Sequence, residues 1–377
     1  MIPRILHESI QTRIFKGKAI LIMGPRQSGK TTLLKRIASD STVKTLFLNC
    51  DEPNIRKRLQ DVSSSALKSL IGPAKMVLID EAQRVENIGL TLKLIIDQIA
   101  HVQVIATGSS AFDLANRINE PLTGRKYELF LLPIATQEMV VHTNFLEEER
   151  HLEQRLIYGM YPDVINHPGE EQEILQNLSD SYLYKDVLAF RELRRPEVLE
   201  KLLEALALQV ASEVSFNELA RLLQIDSVTV QRYIEILEKT FVVFRLCSFS
   251  RNVRNELKKS RKIYFYDNGV RNAIIFNFNP PALRSDIGYL WENFVVSERL
   301  KWLNNQVKFV QRYFWRTTQQ QEIDYIEESD GKMLACEFKW SAARQKRFPK
   351  TFLNAYPESK TTVVTPENYM EFLQLGA

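Results

Sequence analysis

Short apolar runs alternate with amphipathic stretches over the first 140 residues of the chain. Apolar runs without polar alternation are typical of strands buried on both faces of a parallel sheet, and the amphipathic stretches predict the helices that cover it. The pattern therefore predicts an α/β fold whose parallel sheet has helices on both faces. The predicted strands are residues 19–23, 45–48, 76–79, 102–106 and 127–132, and the clearest predicted helices are residues 31–39 and 90–99.

A helical pattern replaces this alternation from about residue 147 to residue 208. Residues 215–246 then predict a helix, a tight turn, a second helix and a strand, with Ser227 as the N-cap of the second helix. This order of elements is that of a winged helix, although a small helical connector predicts the same pattern. A helical and winged-helix-like region is therefore expected after the sheet.

The last part of the chain, from about residue 264, mixes one long helix with several strands. The helix is predicted at residues 288–303, and the clearest strands at residues 322–328 and 332–340. A chain of 377 residues is long enough for two or three domains. Three domains are predicted, covering residues 1–140, 141–262 and 263–377.

The composition is that of a globular protein and does not indicate one particular function. The hydrophobic fraction of 45% and the charged fraction of 25% are ordinary for a soluble globular protein. Three cysteines without a CxxC pair predict neither a disulfide framework nor a zinc site. The amino terminus does not resemble a secretory signal, and no apolar run reaches the roughly 20 residues that span a bilayer. A cytoplasmic protein without a membrane partner is expected.

The charge of the chain permits DNA as a partner without requiring it. The formal net charge is +4, and residues 251–262 contain six Lys or Arg side chains against one Glu. Such a run is typical of a solvated loop and is also compatible with contact to a phosphate backbone. A protein partner is equally compatible with this charge.

One motif in the first domain indicates phosphate chemistry. It matches the P-loop pattern G-x-x-x-x-G-K-[ST], follows an apolar strand and opens a helix, as binding of a triphosphate requires. Backbone N–H groups of such a loop bind phosphate oxygens, and the helix N-terminus adds partial positive charge. Lys30 is expected to reach the β- and γ-phosphates and Thr31 to bind Mg²⁺. The predicted ATP-binding residues are Gly24, Pro25, Arg26, Gln27, Ser28, Gly29, Lys30, Thr31 and Thr32.

Acidic and hydroxyl side chains follow two other predicted strands. Asp80 and Glu81 end the strand at 76–79, where Asp80 can hold Mg²⁺ and Glu81 can act as the general base. Ser109, with Thr107 as second choice, is the candidate sensor of the γ-phosphate, although either residue is also compatible with a simple turn. Arg125 could stabilise phosphate charge in its own chain or in a neighbour, although a lone Arg in a loop is more often a surface residue.

Taken together, these motifs resemble one family of prokaryotic AAA-type ATP-binding proteins that have a C-terminal domain of unknown function. The resemblance covers nearly the whole chain. It implies an AAA+ core, a winged-helix-like middle region and a C-terminal domain similar to restriction endonucleases. Sites of this type are often completed by a neighbouring subunit, so a homo-oligomer is compatible with it. The segments that carry the resemblance include GPRQSGKTTLLK, LIDEAQ, ATGSSAFDL, LTGRKYELFLLP, YPDVI, YLYKDV, IYFYDNGVRNAI, YLWENFVVSERL, EIDYI and CEFKWS.

A hairpin in the last domain predicts a second acidic site. With the turn centred on Asp330 and Gly331, Asp324 lies opposite Glu337, and Lys339 shares their face. Two carboxylates beside a lysine are compatible with a Mg²⁺ site, with Lys339 as a catalytic group and Glu292 as the remaining acid. This arrangement resembles the PD-(D/E)xK nuclease pattern. Charges on one face of a half-buried sheet would give the same pattern.

Three functions follow from these expectations. The first is an ATPase that uses Mg²⁺ and acts on DNA or on a partner protein. The second is an ATP-gated, Mg²⁺-dependent nuclease. The third is a nucleotide-switched module that binds DNA or protein.

Overall fold

The computed structural model describes residues 2–99, 101–109, 122–180, 195–249, 260–341 and 348–375. The chain divides into two compact units. The parallel-sheet unit comprises Arg4–Pro133 with Lys239–Phe241, and the mixed-sheet unit comprises Met1–Pro3, Ile134–Glu238 and Val242–Ala377. The three predicted domains stay a prediction, and the boundary placed between residues 262 and 263 falls inside a strand, Arg261–Phe265.

The parallel-sheet unit is built on five strands in the spatial order β2-β3-β4-β1-β5. Every neighbouring pair is parallel, as predicted from the apolar runs. The strands are β1 Ala19–Met23, β2 Thr45–Asn49, β3 Met76–Asp80, β4 Gln103–Gly108 and β5 Lys126–Phe130. The helices are α1 Leu6–Gln11, α2 Lys30–Asp40, α3 Pro53–Leu59, α4 Ser64–Ile71 and α5 Ile88–Gln98, and a 3₁₀ turn spans Ala82–Arg84.

Burial explains why the three inner strands are continuous apolar runs. Every residue of β1, β3 and β4 is buried, whereas each of the edge strands β2 and β5 has only one buried residue. Helices α1 and α2 pack Leu6, Ile10 and Leu34 against strand residues such as Ile22 and Leu78. Because the strands are parallel, their carboxyl ends lie at one edge of the sheet, where the predicted ATP-site segments follow β1, β3 and β4.

The mixed-sheet unit contains seven strands in the spatial order β12-β11-β10-β9-β7-β8-β6. Its strands are β6 Glu213–Val214, β7 Val243–Ser248, β8 Arg261–Phe265, β9 Gln311–Arg316, β10 Glu322–Ser329, β11 Lys332–Phe338 and β12 Lys360–Val364. Pairs β7–β9 and β11–β12 are parallel and the others antiparallel. A sheet of both kinds needs long connections between its parallel neighbours, and helices supply them here.

Helices of this unit precede and connect the strands. The first group is α6 Thr136–His142, α7 Phe145–Arg150, α8 Leu152–Tyr158, α9 Pro162–Asn166, α10 Glu171–Leu178 and α11 Pro196–Leu208. The second group is α12 Phe216–Leu223, α13 Ser227–Lys239, α14 Asn268–Ile274, α15 Ile287–Asn305, α16 Lys350–Ala355 and α17 Tyr369–Phe372, with a 3₁₀ turn at Pro281–Leu283.

The hairpin register predicted from Asp330 and Gly331 is confirmed. Tyr325 pairs with Cys336, and the pairing continues to Ser329 opposite Lys332. The hairpin is not an exposed ribbon, however, because β10 and β11 both have a strand on each side in the sheet and are buried over much of their length. The charged face of the hairpin is therefore an internal surface.

The predicted order helix, turn, helix, strand is present at α12, α13 and β7, while the winged-helix assignment stays a prediction. The predicted cap is wrong by one residue. Asp226, rather than Ser227, accepts a hydrogen bond of 2.8 Å from the backbone N–H of Thr229 and a second from the Thr229 hydroxyl. Its carboxylate can reach the first-turn N–H groups from the position just before the helix.

Three sequence features lie wholly or partly outside the described residues: the segment YLYKDV, residues 251–259 of the basic stretch, and the part of ATGSSAFDL from residue 110 onward. Within the described ranges, no helix is both long and apolar enough to cross a membrane.

Candidate functional site

The loop between β1 and α2 has a backbone path that requires glycine. A Cβ at position 24 would lie 2.1 Å from the carbonyl oxygen of Leu131, so only glycine fits against this neighbour. Gly29 precedes α2 with a φ of 93°, in the region that side chains disfavour. Gln27 is also left-handed, with a φ of 55°. The loop therefore has the tight curvature that turns backbone N–H groups toward an anion.

Lys30 is buried at the first position of α2. Its ammonium group donates to the carbonyl oxygens of Gly24, at 2.9 Å, and Pro25, at 2.7 Å. Ser28 closes the same loop by donating to the Pro25 carbonyl at 2.8 Å. The cation thus lies within the loop to which the sequence assigned it. The other predicted ATP-binding residues, Pro25, Arg26 and Thr32, lie on this loop and on the first turn of α2.

Asp80, at the end of β3, connects the loop to the neighbouring strand. Its carboxylate accepts hydrogen bonds from the hydroxyl of Thr31, at 2.7 Å, and from the hydroxyl of Thr107 on β4. A carboxylate and a hydroxyl in direct contact are two hard oxygen ligands of the kind that Mg²⁺ prefers. Thr31 and Asp80 therefore fit the Mg²⁺ role predicted for them. Burial, together with the nearby Asp80 carboxylate, raises the pKa of the adjacent Cys50 thiol to about 12.

Glu81 follows Asp80 in a left-handed turn with a φ of 53°. Its backbone N–H donates to the Thr107 hydroxyl at 3.1 Å. The amide nitrogen of Gln83 donates to the Glu81 carboxylate at 2.6 Å and to the Ser109 hydroxyl at 2.9 Å. The predicted base and the predicted sensor are therefore joined through one side chain. Gln83 was missed, although its place two residues after Glu81 in the LIDEAQ segment was visible in the sequence.

Arg125 does not belong to the site of its own chain. It lies immediately before β5, and β5 runs parallel to β1 with Lys126 beside Ala19. Arg125 is therefore at the amino edge of the sheet, whereas the phosphate loop follows Met23 at the carboxyl edge. Its guanidinium forms a half-exposed ion pair with Asp97 at 2.9 Å. A role in its own site is thus excluded by the strand direction, and a role in a neighbour's site stays a prediction.

A second residue missed by the sequence reasoning is Arg4. Its guanidinium donates to the Ser28 carbonyl and to the Leu132 carbonyl, each at 2.6 Å. It therefore fixes the phosphate loop to the segment that follows β5. Nothing in the sequence marked it, because Arg4 lies outside every motif and its partners are backbone atoms.

The mixed-sheet unit contains a cavity of about 890 Å³. Glu292, Asp324 and Lys339, predicted as members of one site, line this cavity together with Lys262 and Glu322. Glu337 is fully buried next to them and forms an ion pair with Lys339 at 2.9 Å. The hairpin geometry thus gathers the predicted side chains as expected.

Lysines, however, lie among the acids that were predicted to bind metal. The Lys262 ammonium is 2.9 Å from Glu292 and 2.6 Å from Glu322. The Lys339 ammonium is 3.2 Å from Asp324. Over the ranges that the structure describes, no three Asp, Glu, His or Cys side chains are grouped closely enough to hold a metal ion. The arrangement therefore does not fit the Mg²⁺ site predicted at Glu292, Asp324 and Glu337.

Burial and ion pairing act in opposite directions on the pKa values of the side chains in this cavity. It raises the pKa of the Glu292 carboxyl to about 7, against the opposing effect of the Lys262 ammonium. Burial lowers the pKa of Lys262, but the nearby carboxylates, Glu292 first, outweigh this and leave that pKa raised. For Lys339, too, burial lowers the pKa, and the carboxylates of Asp324 and Glu337 outweigh it and raise the pKa. Both ammonium groups therefore stay charged at neutral pH.

Three consecutive parts of the chain match known sequence families. Residues 16–140 match a family described as AAA domain, and residues 149–281 and 287–374 match two domains of unknown function, DUF8612 and DUF4143. An uncharacterized protein of Mycobacterium tuberculosis is 26% identical over 88% of this chain and 72% of its own length. An uncharacterized protein of Methanocaldococcus jannaschii is 23% identical over 81% of this chain and 75% of its own length.

Among solved structures, the Walker-type ATPase of Pyrococcus abyssi is similar in fold. The TM-score is 0.52 at 16% sequence identity, and the match covers 73% of this chain and 96% of the other. The similarity to restriction endonucleases is not supported, because the C-terminal region matches only a domain of unknown function. Residues 16–140 thus match the AAA domain family, and the fold of the chain is similar to that of a Walker-type ATPase.

Proposed function

We propose that the parallel-sheet unit binds ATP with Mg²⁺ and hydrolyses it. The observation that carries the proposal is the hydrogen bond of 2.7 Å between Thr31 and Asp80, which joins the phosphate loop to the acidic end of β3. It puts two oxygen ligands for Mg²⁺ directly beside the loop that contains Lys30. The AAA domain match over residues 16–140 supports the same function.

The residues of the chain would divide the reaction as follows. Backbone N–H groups of the loop and the Lys30 ammonium bind the phosphate oxygens, exchanging the loop carbonyls for stronger, charged acceptors. Thr31 and Asp80 would hold Mg²⁺, which neutralises charge on the β- and γ-phosphates when bound. Glu81 would accept the proton of the attacking water. Gln83 positions the Glu81 carboxylate through their 2.6 Å hydrogen bond, and Ser109 would respond to the γ-phosphate through the same amide.

The test of this proposal is ATP hydrolysis by the wild-type protein and by Glu81→Gln. The variant keeps the size of the side chain but cannot accept the proton, so we expect it to bind a fluorescent ATP analogue normally and to lose about 10²-fold or more in kcat. Hydrolysis at the wild-type rate in Glu81→Gln would show that Glu81 is not the base. Absence of nucleotide binding in both proteins would refute the proposed function itself.

We propose DNA as the first partner to examine, because the net charge is +4 and the basic stretch at 251–262 is compatible with a phosphate backbone. The same ATPase assay, with and without duplex DNA, separates a DNA-stimulated enzyme from one that acts on protein or turns over alone. A mass measurement in solution determines whether copies assemble, as a contribution of Arg125 to a neighbour's site requires. The nuclease alternative has no comparable support, because lysines contact the predicted metal ligands.

A further inference from the structure

We propose that Lys262 is a resident counter-cation that takes the place of a divalent metal in the cavity of the mixed-sheet unit, so that the carboxylate cluster of Glu292, Glu322, Asp324 and Glu337 is complete without a metal ion. This inference is independent of the proposed ATPase. It concerns a residue that lies on a different strand from the predicted hairpin site.

The position of Lys262 is the first observation. It lies on β8 and is 2% exposed. Its ammonium group contacts carboxylates from two separate elements, Glu292 on α15 and Glu322 on β10. Lys262 thus connects β8 to α15 and to β10 through two ion pairs. Such a group compensates the buried carboxylate of Glu292, which would otherwise be costly to desolvate, and pairs with the partly exposed Glu322.

The four carboxylates are arranged as two pairs, each around one ammonium group. Lys262 lies between Glu292 and Glu322, and Lys339 lies between Asp324 and Glu337, with distances of 2.6–3.2 Å. A magnesium ion instead needs about six oxygen ligands at roughly 2.0–2.1 Å in octahedral geometry. The two lysine-centred pairs draw the acids toward two separate points, whereas a metal would need them to converge on one.

Hydrogen bonds already occupy one carboxylate oxygen of Glu292 and one of Asp324. The Oε1 atom of Glu292 accepts from the Lys262 ammonium at 2.9 Å and from the Tyr264 hydroxyl at 2.7 Å. The Oδ2 atom of Asp324 accepts from the backbone N–H of Phe338 at 2.9 Å and from Lys339 at 3.2 Å. A carboxylate oxygen has two lone pairs. Each of these two oxygens is therefore saturated by donors of the protein.

Displacing Lys262 would not restore a metal site at low cost. The side chain is 2% exposed, and an ammonium group moved away from Glu292 and Glu322 would lose both of its ion pairs. A metal entering beside it would place two positive charges close together. Removal of the ammonium group by substitution should have the opposite effect, because it leaves the acids without their cation.

Terbium luminescence tests this inference, because a bound Tb³⁺ ion emits when a nearby tryptophan is excited. Trp340 lines the cavity, and all four tryptophans of the chain, at 291, 302, 315 and 340, lie in the mixed-sheet unit. The full-length protein is titrated with Tb³⁺ in an Asp80→Asn background, which removes the proposed Mg²⁺ ligand of the ATP site. Three proteins are compared: the background alone, with Lys262→Met, and with Lys262→Met and Glu292→Gln together.

The background protein should show no saturable tryptophan-sensitised emission. Lys262→Met should show saturable emission at a Tb³⁺ concentration at least tenfold below any signal in the background, and Glu292→Gln should remove it. If Lys262→Met does not fold by circular dichroism, Lys262→Gln, which keeps a donor between the acids, replaces it. Lys262→Arg, which retains the cation, is the matched control and should resemble the background.

Two results would overturn the inference. One is saturable emission from the protein that retains Lys262, lost when Asp324→Asn is added, because it would show that a metal binds despite the lysine. The other is absence of emission in both the background and the folded Lys262 variant, because it would show that Lys262 is not what keeps the metal out. Neither result bears on ATP hydrolysis, which is measured separately.

Discussion

Lys30 in the parallel-sheet unit and Lys262 in the mixed-sheet unit are both buried, and they differ in the atoms that accept their hydrogen bonds. Lys30 donates to backbone carbonyls of its own loop, whereas Lys262 contacts the carboxylates of two distant elements. A phosphate oxygen carries charge and is a stronger acceptor than a carbonyl, so the bonds of Lys30 can be exchanged for a ligand. The bonds of Lys262 gain nothing from such an exchange.

The comparison shows that a lysine near acids does not by itself indicate catalysis. The same three residue types, Lys, Asp and Glu, occur at both sites. At the ATP site the carboxylate of Asp80 accepts from hydroxyl groups, which can share it with Mg²⁺. In the cavity the carboxylates accept from ammonium groups and so belong to the structure of the unit.

The largest expected effect is on stability, from Lys262→Ala. Removal of this ammonium group leaves the buried Glu292 without its cation and takes one of two cationic neighbours from the partly exposed Glu322, so we expect the free energy of unfolding to fall by about 3–5 kcal/mol. Tryptophan fluorescence in urea measures this loss, because every tryptophan lies in the mixed-sheet unit. Lys332→Ala, at an exposed position on β11, is the matched control and should change little. A small loss of unfolding free energy in Lys262→Ala would contradict the structural role that distinguishes Lys262 from Lys30.

Lys30→Ala should have the opposite profile, with a large effect on turnover and a small one on stability. Loss of the phosphate-bound cation should lower kcat by at least about 10²-fold and weaken nucleotide binding. Steady-state hydrolysis and binding of a fluorescent nucleotide measure the two effects. Lys35→Ala, on the exposed face of α2, should keep the wild-type rate. Normal turnover in Lys30→Ala would contradict the assignment of the phosphate loop.

The smallest expected effect is on kcat, from Gln83→Ala at the proposed ATP site. Gln83→Ala removes the amide that joins Glu81 to Ser109, and we expect kcat to fall about tenfold, equivalent to roughly 1.4 kcal/mol, with KM nearly unchanged. A hydrogen bond that only supports the fold would not separate kcat from KM in this way. Gln60→Ala, which removes an exposed bond to Glu86, is the control. Equal changes in kcat and KM would argue against a positioning role for Gln83.

Local pattern was sufficient to predict the parallel sheet and the hairpin. Uninterrupted apolar runs marked the buried inner strands, and the Asp330–Gly331 turn determined which residues face each other across β10 and β11. Both predictions depend only on residues close together in the sequence. The Thr31–Asp80 contact was also predictable, because parallel strands bring their carboxyl ends to one edge of the sheet.

The remaining features depend on contacts between distant parts of the chain. Lys262 lies in a basic stretch that is typical of solvated loops, and only the order of strands in the seven-stranded sheet carries it into the cavity. The position of Arg125 at the amino edge likewise requires the direction of β5 to be known. Arg4 donates to backbone carbonyls, which every residue has, so the sequence does not show which residues are its partners.

The hydrogen bonds of Arg4 to the Ser28 and Leu132 carbonyls affect the order in which the chain folds. Arg4 and Leu132 are 128 positions apart, and Gly24 packs against the residue before Leu132. During synthesis the phosphate loop therefore emerges long before the segment that finally holds it. Contacts of such wide separation slow folding because of their loop-closure entropy, and a nascent chain that has exposed the whole P-loop motif cannot make the Arg4 contact until Leu132 has been added.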